Sequence, residues 1–183
     1  MTYPEKTILL HDGRTCTMRV PRAGDAEALI DYLRAIASET EYILWTPQGP
    51  FPTKEGEIAY IESLAASPQT LCLLADVDGE VAGNCQIVFN SKWKVAHRSS
   101  IVIALKQKFW GLGIGTALLR ELLGEAERRG VRQTELDVVA ENNRARGLYE
   151  KLGFRAVATL PAAIRFTDGS LHDEIHMMRI NTI

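Results

Sequence analysis

The sequence predicts an α/β domain built on a mixed sheet, and three observations lead to this fold class. Apolar runs rich in β-branched residues alternate with segments whose apolar residues recur at helical spacing. Asp-Gly pairs join neighbouring strand-like runs, and this pair is a strong signal for an antiparallel hairpin. Further along, a strand, a helix and a strand follow one another, an arrangement that a right-handed crossover makes parallel. The chain of 183 residues is long enough for one domain spanning 1–183.

The first half of the chain predicts two hairpins separated by two helices. The segment His11-Asp-Gly-Arg14 is the turn of the first hairpin, and Asp78-Gly79 is the turn of the second. Asp25 and Thr53 are good N-caps for the two helices that lie between these hairpins. The expected strands of this half cover 7–10, 16–20, 71–77 and 80–89.

The second half predicts the order strand, helix, strand, helix, strand, strand. Its first strand ends in the continuous apolar run Ile101-Val-Ile-Ala-Leu105, which is typical of a buried strand. A helix then extends to Gly130, a good left-handed cap, and a short helix begins at Asn142 or Asn143. The expected strands of this half cover 95–105, 134–140, 154–160 and 172–180.

Composition and charge exclude several classes of function. The formal net charge of −2 gives no footprint for nucleic acid or for an anionic membrane. The N-terminal residues lack the basic start and apolar core of a signal peptide, and no apolar run approaches the ~20 residues of a membrane span. The three cysteines have no zinc spacing and lie in strand-like segments, so we expect reduced buried thiols, no metal site and a cytoplasmic protein.

The stretch Phe109-Trp-Gly-Leu-Gly-Ile-Gly-Thr116, which we call the glycine turn, is the first candidate site. A strand precedes it and an amphipathic helix follows, so backbone N–H groups and the positive end of the helix dipole converge there. By itself the pattern leaves a dinucleotide-binding site open, since Glu135 or Glu141 lies near the spacing of its ribose-binding acid. A Walker loop is excluded because no Gly-Lys-Ser/Thr occurs.

A second motif narrows the choice of ligand. The run Asn142-Asn-Arg-Ala-Arg-Gly-Leu-Tyr-Glu-Lys-Leu-Gly-Phe154 follows the glycine turn after one helix and one strand. Together with the two helices between the first strands, these motifs resemble the GNAT superfamily of acetyl-CoA-dependent N-acetyltransferases, over approximately residues 16–180. The resemblance implies the single-domain fold of that family, an α/β (α+β) architecture with a mixed central sheet of about seven strands flanked by about four helices.

The resemblance also implies a reaction. Acetyl-CoA would serve as co-substrate, and its acetyl group would pass directly to a primary amine of a small molecule or peptide. Family members often form homodimers, so a homodimer is a further expectation. The alternative is a CoA-binding sensor or interaction module without catalysis, because Trp110 stands where the family usually has Gln or Arg and the strand before it lacks the family's glutamate.

The family's cofactor contacts can be carried over to the matching positions of this chain. Amides of the glycine turn would bind the CoA pyrophosphate, the preceding strand would separate from its parallel neighbour and pair with pantetheine, and Asn142 would bond the pantetheine arm. Without the resemblance, an Asn at the position of Asn142 is more often a helix N-cap than a ligand-binding residue. Without it, Arg144 would be interpreted as an exposed charge on a helix. The implied cofactor-binding residues are Ile101, Ile103, Leu105, Trp110, Gly111, Leu112, Gly113, Ile114, Gly115, Thr116, Asn142, Arg144, Ala145 and Tyr149.

Acetyl transfer needs an acid for the departing thiolate and a base for the amine, which is mostly protonated at neutral pH. The resemblance assigns the acid to Tyr149, although its place on an apolar helical stripe also fits a core residue. Glu41 lies in the stretch that matches the family's substrate loop and is the candidate base, against the interpretation of a solvated surface acid. The other candidates for the base are Glu39, His97, Asp137 and Glu135.

The proline-containing stretch from Glu41 to Pro52 is expected to shape the acceptor pocket opposite the last hairpin. Its aromatic residues Tyr42, Trp45 and Phe51 equally fit simple packing over a sheet edge. The acidic side chains of Glu39 and Glu41 favour a cationic acceptor.

Overall fold

The computed structural model describes residues 3–181, and the eight strands found there form one mixed sheet. The ends of the predicted domain, 1–2 and 182–183, lie outside the described residues. The strands are β1 (Lys6–Leu9), β2 (Thr15–Arg19), β3 (Thr70–Val77), β4 (Glu80–Phe89), β5 (Arg98–Leu105), β6 (Gln133–Val139), β7 (Arg155–Arg165) and β8 (Leu171–Ile180). The helices are α1 (Ala26–Glu39), α2 (Lys54–Ala66), α3 (Ile114–Arg128) and α4 (Asn143–Lys151). Within residues 3–181 no helix is long and apolar enough to cross a membrane.

The order of strands and helices agrees with the sequence prediction along the whole chain. The sheet has eight strands instead of about seven, because the first hairpin adds β1 at the edge. β5 begins at Arg98, later than predicted, since Trp93–Val95 forms a short 3-10 turn. β7 extends beyond Leu160 to Arg165, with an irregular register between Leu160 and Ile164.

The strand order is β1-β2-β3-β4-β5-β6-β8-β7, and the parallel pair in this sheet is β5 with β6. Their pairing runs from Arg98 opposite Gln133 to Ser100 opposite Glu135 and then stops. On its other edge β6 pairs with β8 over its full length. Beyond Ser100, the facing edges of β5 and β6 therefore have no partner among the described strands. A doubly wound dinucleotide-binding sheet, which is mostly parallel, is excluded.

Side chains reinforce the paired end of β5 and β6. The Ser99 and Thr134 hydroxyls hydrogen-bond at 3.0 Å in the buried interior. The Arg98 guanidinium binds both carboxylate oxygens of Glu135, at 2.6 and 2.7 Å. The two strands are thus firmly joined at one end and separate only at the other.

Helices cover both faces of the sheet, but not over its full width. α3 and α4 pack on one face, where Leu136 of β6 and Met177 of β8 join the main core. α1 and α2 pack on the other face against residues of β3, β4 and β5. Because side chains alternate along a strand, Asp137 and His176 lie on this second face, beyond the two helices. We call this part, with Asp137, Glu174 and His176, the open face.

Candidate active site

The separation of β5 from β6 leaves a gap lined by backbone groups. β5 keeps its partner β4 on the other side, through pairs such as Ile103 with Cys85, so its backbone stays extended. On the side of β6, the N–H and C=O groups between Ile101 and Leu105 have no strand partner within residues 3–181. An extended chain can therefore add to β5 by main-chain hydrogen bonds. This geometry confirms the strand separation that the resemblance implied.

The end of β5 is less buried than its sequence predicts. Ile101 is buried, but Val102 is 65% exposed and Ile103, Ala104 and Leu105 are half-buried. A continuous apolar run is typical of a strand covered on both faces, and that prediction is wrong here because the neighbouring strand moves away. The result is an apolar wall beside the gap, suited to the carbon chain of a ligand.

The glycine turn connects the open end of β5 to α3. Gly111 and Gly113 have φ values of +80° and +95°, in the left-handed region that glycine adopts without strain. A Cβ atom on Gly115 would lie 3.1 Å from the side chains of Leu105 and Leu148, so glycine at this position lets α3 approach β5 and α4 closely. The first N–H groups of a 15-residue helix thus lie beside the gap, an arrangement that binds anions.

The side chains around the start of α3 leave the main chain as the means of binding. Ile114 is buried in the core, so it offers a ligand only its N–H group. Leu112 and Thr116 are half-buried. The structure brings all predicted residues of the glycine turn to the open end of β5, and phosphate binding by their amides stays a prediction.

Trp110 joins the turn to the strand before it. Its indole Nε1–H donates a hydrogen bond to the Leu105 carbonyl oxygen at 2.9 Å, so this donor is already used inside the protein. The Arg144 guanidinium of α4 lies 5.0 Å from the centre of the indole ring, within cation–π range. Trp110 therefore links β5, the glycine turn and α4, in place of a side-chain contact to phosphate.

Asn142 caps α4 as predicted. Its Oδ1 accepts a hydrogen bond from the Ala145 N–H group at 3.2 Å. The cap uses only the side-chain oxygen, and the Asn142 amide nitrogen makes no hydrogen bond within residues 3–181. That nitrogen can still donate to a ligand lying in the gap.

Tyr149 occupies the buried side of α4 and packs edge-on against Phe154, with ring centres 6.0 Å apart. Its side chain is 6% exposed, and burial, with a smaller contribution from Cys85, raises the pKa of Tyr149 above its ordinary value. Cys85 is directly opposite Ile103 of β5, and Tyr149 belongs to the same core cluster as these two residues. Within the described residues the Tyr149 hydroxyl has no hydrogen-bond partner, so this protonated group can donate to a ligand.

Glu39 and Glu41 anchor loops at the end of α1. The Glu39 carboxylate accepts a hydrogen bond from the Gln107 N–H group at 2.7 Å, just before the glycine turn. The Glu41 carboxylate accepts hydrogen bonds from the N–H group of Thr167, at 3.1 Å, and from its hydroxyl, in the turn between β7 and β8. Tyr42 also contacts Phe166, with ring centres 6.1 Å apart. The loop after α1 thus contacts the last hairpin, and its role in shaping an acceptor pocket stays a prediction.

Two of the candidate bases lie far from the open end of the gap. The His97 carbonyl accepts hydrogen bonds from Arg132 and Gln133 at the start of β6, so His97 is at the opposite end of β5 from the glycine turn. Over eight residues of strand this is about 25 Å. Glu135 is in the paired part of β6, where the Arg98 guanidinium lowers the pKa of its carboxyl and weakens it as a base.

Asp137 lies on the open face, on the part of β6 that β5 has left. Its carboxylate hydrogen-bonds to the His176 ring at 2.6 Å, and its side chain remains 51% exposed. Burial, together with the nearby Asp137 charge, raises the pKa of Glu174 next to this pair. Asp137 is therefore the candidate base with both access to solvent and a position along the gap.

Sequence reasoning missed the histidines of β8 and the pairs that they form with Asp137 and Glu141. His172 stacks on Phe166 with ring centres 3.7 Å apart, and its Nδ1 lies 2.9 Å from a Glu141 carboxylate oxygen. The alternation His172, Glu174, His176 could have placed all three on one face of a strand. What they contact across the sheet was not visible in the sequence.

A mixed sheet that opens at one parallel pair, next to a glycine turn at the head of a helix, defines the class of acetyl-CoA-dependent acyltransferases. Residues 30–154 match the model of the acetyltransferase (GNAT) family. The chain belongs to this family and is an N-acetyltransferase that uses acetyl-CoA as co-substrate.

Curated relatives carry the same activity. An L-amino acid N-acetyltransferase of Escherichia coli (strain K12) is 28% identical over 150 residues, covering 81% of this chain and 90% of the relative. An N-acetyltransferase of the same strain, named for an alanine of ribosomal protein bS18, is 34% identical over 119 residues, covering 60% of this chain and 80% of the relative.

Solved structures share the fold. An acetyltransferase of the GNAT family from Streptococcus pneumoniae superposes with a TM-score of 0.83 at 26% identity, covering 90% of this chain and 99% of that chain. A structure from Salmonella typhimurium, solved with its cofactor acetyl-CoA, gives a TM-score of 0.77 at 20% identity and covers 92% of this chain and 95% of that chain.

Proposed function

We propose that this enzyme transfers the acetyl group of acetyl-CoA directly to the α-amino group of an amino acid or of a peptide. The observation that carries the proposal is the gap beyond Ser100, which opens between the glycine turn and the open face. One side of the gap offers main-chain groups to a cofactor, and the other offers carboxylates to an amine. Donor and acceptor would meet inside the sheet.

The relatives support an α-amine as the acceptor. One of them is named for L-amino acids and the other for an alanine of a ribosomal protein. The alanine side chain contains no nitrogen, so an alanine can be N-acetylated only at its α-amino group. An α-amine is thus the acceptor group that both names have in common.

In this proposal the cofactor is held mainly by the backbone. Amides of the glycine turn and the first turn of α3 bind the pyrophosphate, and β5 pairs with pantetheine from Ile101 to Leu105. Asn142 donates its free amide to the same arm, while Arg144, beside Trp110, lies near enough to the turn to attract phosphate. The bound cofactor supplies an activated acetyl group.

Asp137 is proposed to take the proton from the attacking amine. A free alkylamine with a pKa near ~10 is mostly protonated at neutral pH, so a carboxylate must bind the ammonium group and then accept a proton. Asp137 is exposed on the open face, whereas both oxygens of Glu41 already bind Thr167. Glu41 is proposed to fix the acceptor loop against the β7–β8 turn, and it carries the proton only if Asp137 does not.

Tyr149 is proposed to protonate the departing sulfur, and a backbone N–H near Ile103 to stabilise the charge on the carbonyl oxygen. A buried tyrosine keeps its proton throughout the neutral range, so the acid form is always present. The same apolar surroundings raise the proton affinity of a thiolate that forms next to it.

The cysteines support direct transfer without an acetylated enzyme. Cys16, Cys72 and Cys85 are all buried and unpaired. Burial raises the pKa of Cys16 to about 11 and of Cys72 to about 12, and it also raises that of Cys85. None of these thiols is an accessible thiolate that could attack a thioester.

A thiol-release assay with acetyl-CoA tests the proposal. We expect turnover with L-amino acids or with short peptides that have a free α-amine, and none with the matching Nα-acetylated compounds. Binding of CoA by calorimetry without thiol release from any amine would favour the sensor without catalysis. The homodimer stays a prediction, which light scattering on the purified protein tests.

A further inference from the structure

The turn between β1 and β2 packs against the glycine turn, and His11 makes the contact. The His11 Nδ1 atom lies 3.0 Å from the Gly111 carbonyl oxygen, across 100 residues of sequence. The His11 backbone N–H donates a longer hydrogen bond, 3.4 Å, to the Leu112 carbonyl oxygen. One residue of the first hairpin therefore binds two consecutive carbonyl groups of the glycine turn.

These two contacts fix the direction of two amides. In a planar trans peptide the C=O and N–H groups point in opposite directions. Because the carbonyls of Gly111 and Leu112 point towards His11, the N–H groups of Leu112 and Gly113 point away from it. Within residues 3–181 neither amide donates a hydrogen bond. Consecutive free N–H groups on one side of a turn form a concave anion site.

The His11 ring also lies directly on the backbone of the turn. A Cβ atom on Gly113 would be 3.3 Å from His11 Nε2 and 3.5 Å from its Cε1. The side of Gly113 away from the free amides is therefore filled by the imidazole. The imidazole therefore packs against the turn at Gly113, the residue that precedes α3.

The hairpin that carries His11 is itself well held. Leu10 is buried in the main core. The Asp12 carboxylate accepts hydrogen bonds from the backbone N–H of Arg14, at 3.1 Å, and from its guanidinium, at 2.7 and 2.9 Å. The Arg14 guanidinium also lies 5.5 Å from the centre of the Phe109 ring, at the start of the glycine turn. These contacts hold the hairpin turn that carries His11 in place.

We propose that His11 is a positioning residue that holds the amides of the glycine turn in the orientation that binds the CoA pyrophosphate. The proposal rests on the proposed placement of the pyrophosphate at this turn. His11 touches neither the reacting atoms nor the acceptor side, so it contributes to cofactor affinity and not to the chemical step. An anion site that is already oriented before binding binds more tightly than one that must be ordered.

The chemistry of the contact predicts which substitutions preserve it. A carbonyl oxygen only accepts, so His11 Nδ1 must carry hydrogen, in the neutral ring as well as in the imidazolium ion. The Asn side chain has an N–H donor the same number of bonds from Cα as Nδ1, whereas the donor of Gln is one bond further away. His11→Asn should therefore retain the hydrogen bond to Gly111, and His11→Gln should lose it.

Calorimetric titration of the full chain with three ligands tests the proposal. Dephospho-CoA keeps the pyrophosphate but lacks the 3′-phosphate, and pantetheine lacks both. We expect His11→Ala and His11→Gln to weaken CoA and dephospho-CoA by about tenfold and to leave pantetheine unchanged, while His11→Asn stays within about twofold of wild type. In steady-state assays the KM for acetyl-CoA should rise while kcat stays nearly constant.

One control variant separates this proposal from the one on which it rests. Gly113→Ala strains the turn itself, because φ is +95° there. If Gly113→Ala weakens CoA and His11→Ala does not, the role of His11 is overturned and the pyrophosphate assignment stands. If neither variant changes CoA affinity, both are overturned.

A measurement on the wild-type protein covers the case in which His11→Ala does not fold. Nitrogen-15 NMR of the histidine rings reports which nitrogen carries the proton. We expect the Nδ1–H form for His11 in the neutral ring, and the Nε2–H form would overturn the proposal. Equal loss of affinity for pantetheine and CoA in folded His11→Gln would also overturn it, since only a general distortion of the site acts on both.

Discussion

The two sides of the gap are built in different ways. The side proposed for the cofactor consists mainly of main-chain groups from one continuous segment, which runs from β5 through the glycine turn into α3. The side proposed for the acceptor consists of side chains that meet from distant segments, as Glu41 meets Thr167 and His172 meets Glu141. Main-chain amides can bind phosphate whatever side chains their residues carry. Contacts between side chains, in contrast, are altered when one of the contacting residues is substituted. Under the proposed function, the fold determines how the donor binds, and a few long-range side-chain contacts determine which acceptor binds.

The largest effect is expected at the point where the two sides meet. Tyr149→Phe removes the hydroxyl but keeps the ring that packs on Phe154, so kcat should fall about 10²-fold with little change in acetyl-CoA affinity. Steady-state kinetics and CoA titration measure the two quantities separately. An unchanged kcat would make Tyr149 a core residue only.

On the acceptor side, Asp137→Asn should lower kcat/KM for the amine at least tenfold, because an amide cannot accept the proton. Its oxygen can still accept a hydrogen bond from His176, so the pair keeps its geometry. Glu174→Gln is the matched control on the same open face and should have a much smaller effect. The opposite ranking of the two variants would transfer the role of base to Glu174.

A smaller effect is expected at Glu41. Glu41→Gln retains one acceptor for Thr167 and should raise the KM for the amine about threefold, with the KM for acetyl-CoA unchanged. Thr167→Val removes the hydroxyl from the other side of the contact and should act similarly. A fall in kcat of about 10²-fold in Glu41→Gln alone would instead support the sequence-based prediction that Glu41 is the base.

The smallest expected effect is a change in thermal stability, at the paired end of β5 and β6 where the gap begins. Arg98 lowers the pKa of Glu135 in the folded protein. The pair therefore contributes its full stabilisation at pH values above the pKa of Glu in the unfolded chain, about 4.3. That contribution is lost as the pH falls through the lower pKa of Glu135 in the folded protein. Glu135→Gln should lower the thermal midpoint slightly at pH 7, and the difference should shrink towards pH 3. A difference that is the same at both values would show that the charge is not involved.

Patterns within one segment predicted most of the fold and half of the site. Helical spacing, apolar runs and the Asp-Gly turns predicted the eight strands and four helices in order, and the run from Asn142 to Phe154 predicted CoA as the ligand of the glycine turn. The exposure of Val102 was not predictable, because the same apolar run suits a covered strand and one whose neighbour has moved away. The contacts of His11 and His172 were not predictable either, since their partners Gly111 and Glu141 lie 100 and 31 residues away.

Three residue pairs join the part of the sheet formed by β1–β5 to the part formed by β6, β8 and β7. A pantetheine arm lying along β5 would act as one more strand at this seam and would bridge the two parts. A ligand that binds only the folded chain stabilises it by mass action, so the thermal midpoint should rise with cofactor concentration. The donor of the acetyl group would then also be a structural component, and the lifetime of the enzyme in a cell would follow the supply of its own co-substrate.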